Sequence, residues 1–188
     1  MQLAPSLCSE RLSYERLGVE HADGLEKALC DPRVWEFIEE ECPTPADLTA
    51  TFARLSEGVP PHREDEVWLD FAVRRERDGA LIGRLEATLV EGNAEIAYLF
   101  GPEHWGQGYG RESLTWLHET LKRDFGATDC WATINPANLR SLRLAAALGY
   151  TEVGEKVWPH LTSYDPGDAV LRKRLVDPEK AEQKPTSN

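Results

Sequence analysis

Three glycines at alternate positions, Gly106, Gly108 and Gly110, are the feature that most constrains how this chain can fold. An apolar segment, residues 96–100, leads into them, and apolar residues at helical spacing follow over residues 114–125. This order predicts a strand, a tight turn and a helix. Because glycine has no Cβ and a helix start presents free N–H groups, such a turn can cradle a phosphate or pyrophosphate.

Two familiar phosphate-binding loops do not fit this stretch. A Walker loop ends in Gly-Lys-Ser/Thr, whereas Arg111 and Glu112 follow Gly110. A dinucleotide fingerprint beginning at Gly106 needs a glycine at its sixth position, where Arg111 stands. A loop for another phosphate ligand and a glycine-rich turn that binds nothing both remain open.

Length and charge narrow the class of protein. At 188 residues we expect one domain over residues 1–176 and a polar, disordered tail over residues 177–188. The net charge of −12 disfavours a nucleic-acid partner; it suits a cationic amine substrate, or serves solubility alone.

Other classes are disfavoured by what the sequence lacks. No apolar run approaches the roughly 20 residues that span a bilayer, so we expect no membrane partner. No secretion signal is evident at the N-terminus. Four scattered cysteines without a Cys-x-x-Cys pair predict free thiols and a cytoplasmic location. The histidines are dispersed, so no metal site is expected.

Hydrophobic periodicity and turn signals predict an α+β fold. The expected strands are residues 10–17, 67–74, 81–90, 94–100, 128–134, 150–157 and 169–175, and the expected helices are residues 21–30, 32–38, 45–57, a helix ending near 125, and 135–148. The strand over 94–100 is apolar on both faces past Ile96, which predicts a central position. Together these elements predict a mostly antiparallel, mixed sheet with helices on both faces.

The glycine stretch resembles the acetyl-coenzyme A loop of the GNAT acetyltransferases, which reads Arg/Gln-x-x-Gly-x-Gly/Ala. Trp105 stands at the Arg/Gln position, a form typical of the RimJ/RimL-like branch. A second segment, from Asn138 and Ser141 to Leu-Gly-Tyr150, resembles the family's Asn-x-x-Ser/Ala helix. The element order also matches the GNAT fold along nearly the whole chain. The resemblance therefore implies transfer of an acyl group from acetyl-coenzyme A to a primary amine.

The resemblance also implies which residues bind the coenzyme. They lie at the end of the central strand, in the glycine loop and on the following helix: Tyr98, Leu99, Phe100, Trp105, Gly106, Gln107, Gly108, Tyr109, Gly110, Arg111, Asn138 and Ser141. In the family this strand splays from its neighbour at a bulge, which frees backbone groups for pantetheine. A backbone N–H near Leu99 or Phe100 would polarise the thioester carbonyl. Alternatively, Asn138 and Ser141 only cap the helix start.

Catalytic residues are assigned from the same resemblance. Many GNAT enzymes protonate the departing thiolate with a tyrosine, but Ala145 occupies that position here. Ser141 is the predicted donor, directly or through a water, unless no acid is used. Glu95 is the predicted general base, or else a surface or substrate-orienting acid. Neither motif contains cysteine, so direct attack in a ternary complex is expected rather than a covalent intermediate.

The acceptor is not specified by the sequence. Trp35 and Trp158 occupy segments that wall the acceptor pocket in relatives, although each could be a core residue. The acceptor is either a protein N-terminus or a small-molecule amine, and the chain is a monomer or homodimer. Two other functions stay open: a nucleotide-binding module, and a catalytically degenerate acyl-coenzyme A sensor.

Overall fold

The computed structural model describes residues 7–176, whose strands form one seven-stranded sheet in the order β1-β2-β3-β4-β5-β7-β6. The strands are β1 Leu12–Arg16, β2 Val67–Arg75, β3 Leu81–Val90, β4 Asn93–Phe100, β5 Asp129–Ile134, β6 Thr151–Glu152 and β7 Ala169–Arg174. Every neighbouring pair in the described sheet is antiparallel except β4–β5. The α+β prediction and the central position of β4 are confirmed. The predicted tail lies outside the described residues.

Five helices accompany the sheet in the described part of the chain: α1 Ala22–Leu29, α2 Pro32–Trp35, α3 Pro45–Ser56, α4 Tyr109–Phe125 and α5 Leu139–Ala147. The predicted starting signals work as expected. The Asp31 side chain accepts a hydrogen bond from the Arg33 N–H, and Thr44 and Asp47 bond reciprocally at the start of α3. Gly126 ends α4 in the left-handed conformation.

The helices cover both faces of the sheet. On one face, Tyr14 of β1 stacks on Trp116 of α4 with ring centroids 3.7 Å apart, and Phe71 of β2 meets the same indole edge-on at 5.1 Å. On the other face, Leu25 of α1 and Phe52 of α3 are fully buried. Each such side chain stabilises the fold by roughly 1.5–3 kcal/mol. The two cores hold the sheet rigid between the helical layers.

The central strands β4 and β5 pair over three residues only. Asn93, Ala94 and Glu95 pair with residues 129–131, and no pairing follows, although β4 continues to Phe100. The two strands therefore diverge. The expected bulge in β4 is wrong: its register with β3 is unbroken from Asn93 to Phe100, and the described register shift lies between β2 and β3. The splay needs no extra residue, because the β4–β5 ladder simply stops.

Three predicted elements differ from the structure. Helix α2 ends at Trp35 rather than at the predicted residue 38. Helix α5 begins at Leu139 rather than near Asn135, because the Asn135 side chain accepts a hydrogen bond from the Ala137 N–H and holds a turn first. The closing strand predicted over residues 150–157 is only Thr151–Glu152. Beyond Gly154 the chain leaves the sheet in a 3₁₀ turn, Glu155–Val157.

Candidate active site

The splay between β4 and β5 opens into a cleft of about 580 Å³. This volume lies within the usual range for small-molecule sites. We call the part formed by residues 104–111 the loop end of the cleft, and the part formed by β3, α2 and α3 the β3 side. The two parts differ in their chemistry.

The loop end has the geometry of an anion site. Gly106 and Gly108 have φ angles of 72° and 83°, a left-handed conformation that a Cβ disfavours. Gly108 is the N-cap of α4, and the first described helical bond runs from the Glu112 N–H to the Gly108 carbonyl at 3.0 Å. The first N–H groups of α4 therefore have no partner inside the helix, and the dipole of this 17-residue helix favours negative charge beside them.

Arg11, the residue just before β1, braces this loop. Its guanidinium donates to the Gln107 carbonyl at 3.1 Å and pairs with Glu112 at 2.7 Å, and it lies 4.7 Å from the ring centroid of Tyr109. Sequence reasoning missed Arg11. Its partners lie roughly a hundred positions away, so no local pattern could have found it.

Two further arginines adjoin the loop end. The Arg140 guanidinium lies 3.3 Å from the ring centroid of Trp105, and Arg111 donates to the Ala147 carbonyl at 3.3 Å. The Trp105 indole N–H donates to the Phe100 carbonyl at 2.7 Å. Trp105 therefore links the end of β4 to a cation on α5. These positive charges reinforce the preference of the loop end for an anion.

Hydrogen-bond alternation decides which β4 groups face the splay. Val90 and Asn93 close the β3–β4 hairpin, and the Gly101 N–H donates to the Ile82 carbonyl at 3.0 Å. In an antiparallel pair, alternate residues bond to the neighbouring strand. Leu99 therefore directs its backbone to β3, and Tyr98 directs its N–H and C=O toward the splay. Of the two residues expected to polarise the thioester carbonyl, Leu99 turns its N–H to β3, whereas Phe100 turns its N–H toward the splay; Leu99 still lines the cleft.

Ser141 of α5 and Tyr98 of β4 each place a hydroxyl group on the wall of the cleft that α5 forms, which we call the α5 wall. Asn138 caps α5 by accepting from the Ser141 N–H at 3.1 Å, so its capping role is observed, and both residues also line the cleft. The Tyr98 hydroxyl is buried near Ser141 and makes no hydrogen bond of normal geometry within residues 7–176. Burial raises the pKa of Tyr98. A buried hydroxyl without a partner is unusual in a folded protein, and it is available here as a donor.

Glu95 is fully engaged away from the cleft lining. One carboxylate oxygen accepts from the N–H and hydroxyl of Thr162, both at 2.8 Å. The other accepts from the N–H of Ser163 at 2.9 Å and from its hydroxyl at 2.6 Å. These four hydrogen bonds hold the loop that contains Thr162 and Ser163 against β4 through the Glu95 side chain. The geometry favours the alternative of a surface acid over the general base, and these bonds give Glu95 a structural role.

A buried polar group on the β3 side was not predicted. Arg84 donates from one nitrogen to Asp70 and to Glu86, each at 2.6 Å. Burial, followed by the nearby Asp70, raises the pKa of Glu86, although Arg84 opposes this. The sequence did contain a signal for this group. Arg84 and Glu86 stand at alternate positions of β3, on the face that α1 and α3 cover, and charged residues are seldom buried unless they are paired.

The remaining predicted residues separate into two groups. Trp35 lines the cleft, with its indole N–H donating to the Leu29 carbonyl at 2.6 Å. Trp158 is not brought there: its indole N–H donates to the Val153 carbonyl at 2.8 Å. Gln107 also turns away, donating to the Glu103 carbonyl at 2.7 Å. The other predicted loop residues line the cleft.

Two other kinds of feature are absent from the part of the chain that the structure describes. Among residues 7–176, no three histidine, cysteine or acidic side chains are grouped so that they could hold a metal ion. None of the helices described there is both long and apolar enough to cross a membrane.

Solved structures share this fold. An acetyltransferase of the GNAT family from Bacillus anthracis superposes with a TM-score of 0.73 at 19% identity, covering 90% of this chain and 98% of that one. A ribosomal-protein-S5-alanine acetyltransferase from Vibrio fischeri gives 0.69 at 16% identity, covering 90% and 96%. An aminoglycoside acetyltransferase, AAC(6')-Ib, in complex with coenzyme A gives 0.66 at 19% identity, covering 87% and 94%.

Sequence comparison gives the family. An uncharacterized N-acetyltransferase, p20, of Bacillus licheniformis is 24% identical over 156 residues, covering 79% of this chain and 84% of the relative. The model of a family described as an acetyltransferase (GNAT) domain matches residues 11–151, which is most of the chain. Enzymes of this family use acetyl-coenzyme A. The chain therefore belongs to the GNAT family of N-acetyltransferases, in its RimJ/RimL-like branch.

Proposed function

We propose that this enzyme transfers an acetyl group from acetyl-coenzyme A to a primary amine by direct attack in a ternary complex. The observation that carries the proposal is the splay, with the Tyr98 backbone facing into it and the free N–H groups of α4 at its loop end. Pantetheine carries amides that can bond to such a strand edge, and the pyrophosphate suits the helix start. Arg111 and Arg140 add positive charge there.

The lining of the cleft favours a cationic acceptor. Away from the loop end, four carboxylates line it against two arginines: Glu40, Glu86, Asp165 and Asp168 against Arg54 and Arg84. Excess negative charge concentrates cations. A protein N-terminal amine and an amine of an aminoglycoside both fit this charge. Two of the similar structures are named as acetyltransferases of a ribosomal-protein alanine and of an aminoglycoside.

No cysteine is placed to form an acyl-enzyme. Cys30, Cys42 and Cys130 are free thiols, and none of the four cysteines, Cys8 included, lines the cleft as described. Cys130 is buried, and burial raises its pKa to about 12, so it stays a thiol. This supports our proposal that the amine attacks the thioester directly. Free thiols also suit our proposal that the enzyme works in the cytoplasm.

The departing sulfur needs at most one proton donor. The Ser141 and Tyr98 hydroxyls share the α5 wall, and either can reach a group bound between β4 and α5. A hydroxyl that donates to the leaving thiolate stabilises the transition state more than the ground state. We assign this role to Ser141, with Tyr98 as the second donor on the same wall.

Turnover tests the proposal directly. The protein is mixed with acetyl-coenzyme A and, in parallel, with N-terminal peptides, aminoglycosides, polyamines and amino acids. Free thiol is measured, and products are weighed by mass spectrometry. We expect thiol release that depends on one class of amine, with one acetyl group added to that amine. Tight coenzyme binding without thiol release for any amine would show a sensor instead of an enzyme.

A further inference from the structure

We propose that Glu86 is the general base of this enzyme, taking the proton from the acceptor's ammonium group while Arg84 and Asp70 hold its carboxylate in position. The inference rests on the proposed function and names the residue that makes the amine reactive. Sequence reasoning placed this role on Glu95, whose two oxygens are already occupied by four donors.

The register of the sheet places Glu86 beside the splay. Glu86 pairs with Ala97, which lies between the last β4 residue paired to β5 and the open end of that strand. Its other neighbour across the sheet is Asp70 of β2. Glu86 lines the cleft, and its side chain keeps 35% of its surface exposed, so a bound amine can reach it.

The two oxygens of Glu86 are in different states. Oε2 accepts from Arg84, and Oε1 receives no hydrogen bond from any described residue. A general base needs one free oxygen within hydrogen-bond reach of the proton it removes. The Arg84 bond fixes the carboxylate without occupying the oxygen that would do the work.

The single positive charge of Arg84 does not neutralise the two carboxylates that it contacts. Its side chain is only 10% exposed and its guanidinium is shared between Glu86 and Asp70, so one negative charge is in excess. Its Nε is buried and has no partner within residues 7–176. The charged groups that act on Glu86 from the surrounding elements are Asp70, Arg84, Glu40 and Glu95, and Arg54 of α3 lines the same cleft. An incoming ammonium group, or a proton, is what this excess charge attracts.

The environment also sets the proton affinity in the useful direction. Burial raises the pKa of Glu86 from its ordinary value, the direction that makes a carboxylate a stronger base. A raised pKa together with a specific charge partner in a cleft is typical of a functional group. The position, the free oxygen and the shared arginine carry the inference, and the pKa agrees with it.

The proton and electron movements balance. An N–H bond of the ammonium breaks, its proton goes to Glu86 Oε1, and its electron pair stays on nitrogen. That pair forms the bond to the thioester carbon, and the electrons of the C–S bond leave with sulfur. The attacking nitrogen loses a second proton, which reaches the sulfur through the Ser141 or Tyr98 hydroxyl. Glu86 then returns its proton to solvent.

The test compares Glu86→Gln with two other variants in the full-length enzyme, using one amine that the wild type acetylates. Glu66→Gln is the matched control, because Glu66 also pairs with an arginine at 2.6 Å but is not part of the cleft lining. Glu86→Asp keeps the carboxylate on a shorter arm. For each variant, kcat/KM is measured across pH, and acetyl-coenzyme A affinity and thermal unfolding are measured separately.

We expect Glu86→Gln to lower kcat/KM by about 10²–10⁴-fold at neutral pH, with unchanged coenzyme affinity. The loss shrinks as pH rises, because more of the amine is then already deprotonated. Glu86→Asp recovers part of the rate, and Glu66→Gln keeps the wild-type profile. Two results would overturn the assignment. One is a Glu86→Gln enzyme with the wild-type rate and pH profile. The other is a loss of kcat/KM in Glu86→Gln that is equal at every pH and that Glu86→Asp shows as well. If the wild type acetylates no amine, the proposed function itself fails.

Discussion

Replacing Gly108 with alanine separates the coenzyme-binding role of the glycine loop from its role in folding. The Gly108 φ of 83° is one that an L-residue adopts only with strain, of roughly 1–2 kcal/mol. A Cβ built there meets Arg11 Nη2 at 3.3 Å, which is the movable end of a long side chain. We therefore expect a folded protein that is destabilised mainly by the backbone strain.

Gly79→Ala is the matched control. Gly79 has a φ of 70° in the β2–β3 turn, and a Cβ there meets nothing within 4 Å. Both variants should lose about the same stability, roughly 1–2 kcal/mol, which lowers Tm by about 2–8 °C for a chain of this size. Gly79 is not part of the cleft lining, so only Gly108→Ala should weaken coenzyme binding.

The expected loss of affinity follows from the bonds at the loop end. Gly108 lines the cleft and is the N-cap of α4, so the backbone strain of a Cβ there would displace the first N–H groups of α4, to which we propose that the pyrophosphate binds. Losing one hydrogen bond to a charged group removes about 1.5–3 kcal/mol, which is roughly 10- to 100-fold in Kd. Isothermal calorimetry with acetyl-coenzyme A measures this for all three proteins. If Gly108→Ala binds as tightly as Gly79→Ala, the loop does not hold the pyrophosphate.

Further variants test the other assignments. Ser141→Ala should lower kcat and leave coenzyme affinity nearly unchanged, whereas Asn138→Ala should raise the KM for acetyl-coenzyme A. Steady-state kinetics separates the two effects. If Ser141→Ala changes only the KM for acetyl-coenzyme A, Ser141 is a binding residue. Glu95→Gln should lose about 1–3 kcal/mol of stability, measured by thermal unfolding. Its pH–rate profile should keep the acidic limb of the wild type. Loss of that limb would make Glu95 the general base. Burial lowers the pKa of His118 to about 4, so up to about 3 kcal/mol of stability should be lost as pH falls from about 6.5 to 4. His118→Gln should flatten that dependence in denaturant titrations, and an unchanged slope would contradict it.

Local signals in the sequence predicted the parts of the site that are local in the chain. The glycine loop, the caps at Asp31 and Thr44 and the Gly126 stop each depend on a few adjacent residues, and each forms as predicted. The start of α5 was predicted too early because two asparagines compete there. Asn135 holds a preceding turn and Asn138 is the cap, and propensity alone does not rank them.

The parts that were missed depend on strand register and distant contacts. Which β4 backbone groups face the splay follows from the hairpin at Glu91 and Gly92, both with positive φ, and not from the side-chain pattern. The pairing of Arg84 with Asp70 requires β2 and β3 to be aligned first. Glu95 looked available because the loop that occupies its carboxylate lies almost seventy residues later.

A crystal structure of the complex with coenzyme A would show whether the splay between β4 and β5 binds the coenzyme. We expect pantetheine between β4 and β5, hydrogen-bonded to the N–H and C=O of Tyr98, with the pyrophosphate on the N–H groups of Tyr109, Gly110 and Arg111. Coenzyme bound elsewhere, or lying in the cleft without contact to the Tyr98 backbone and the start of α4, would contradict it.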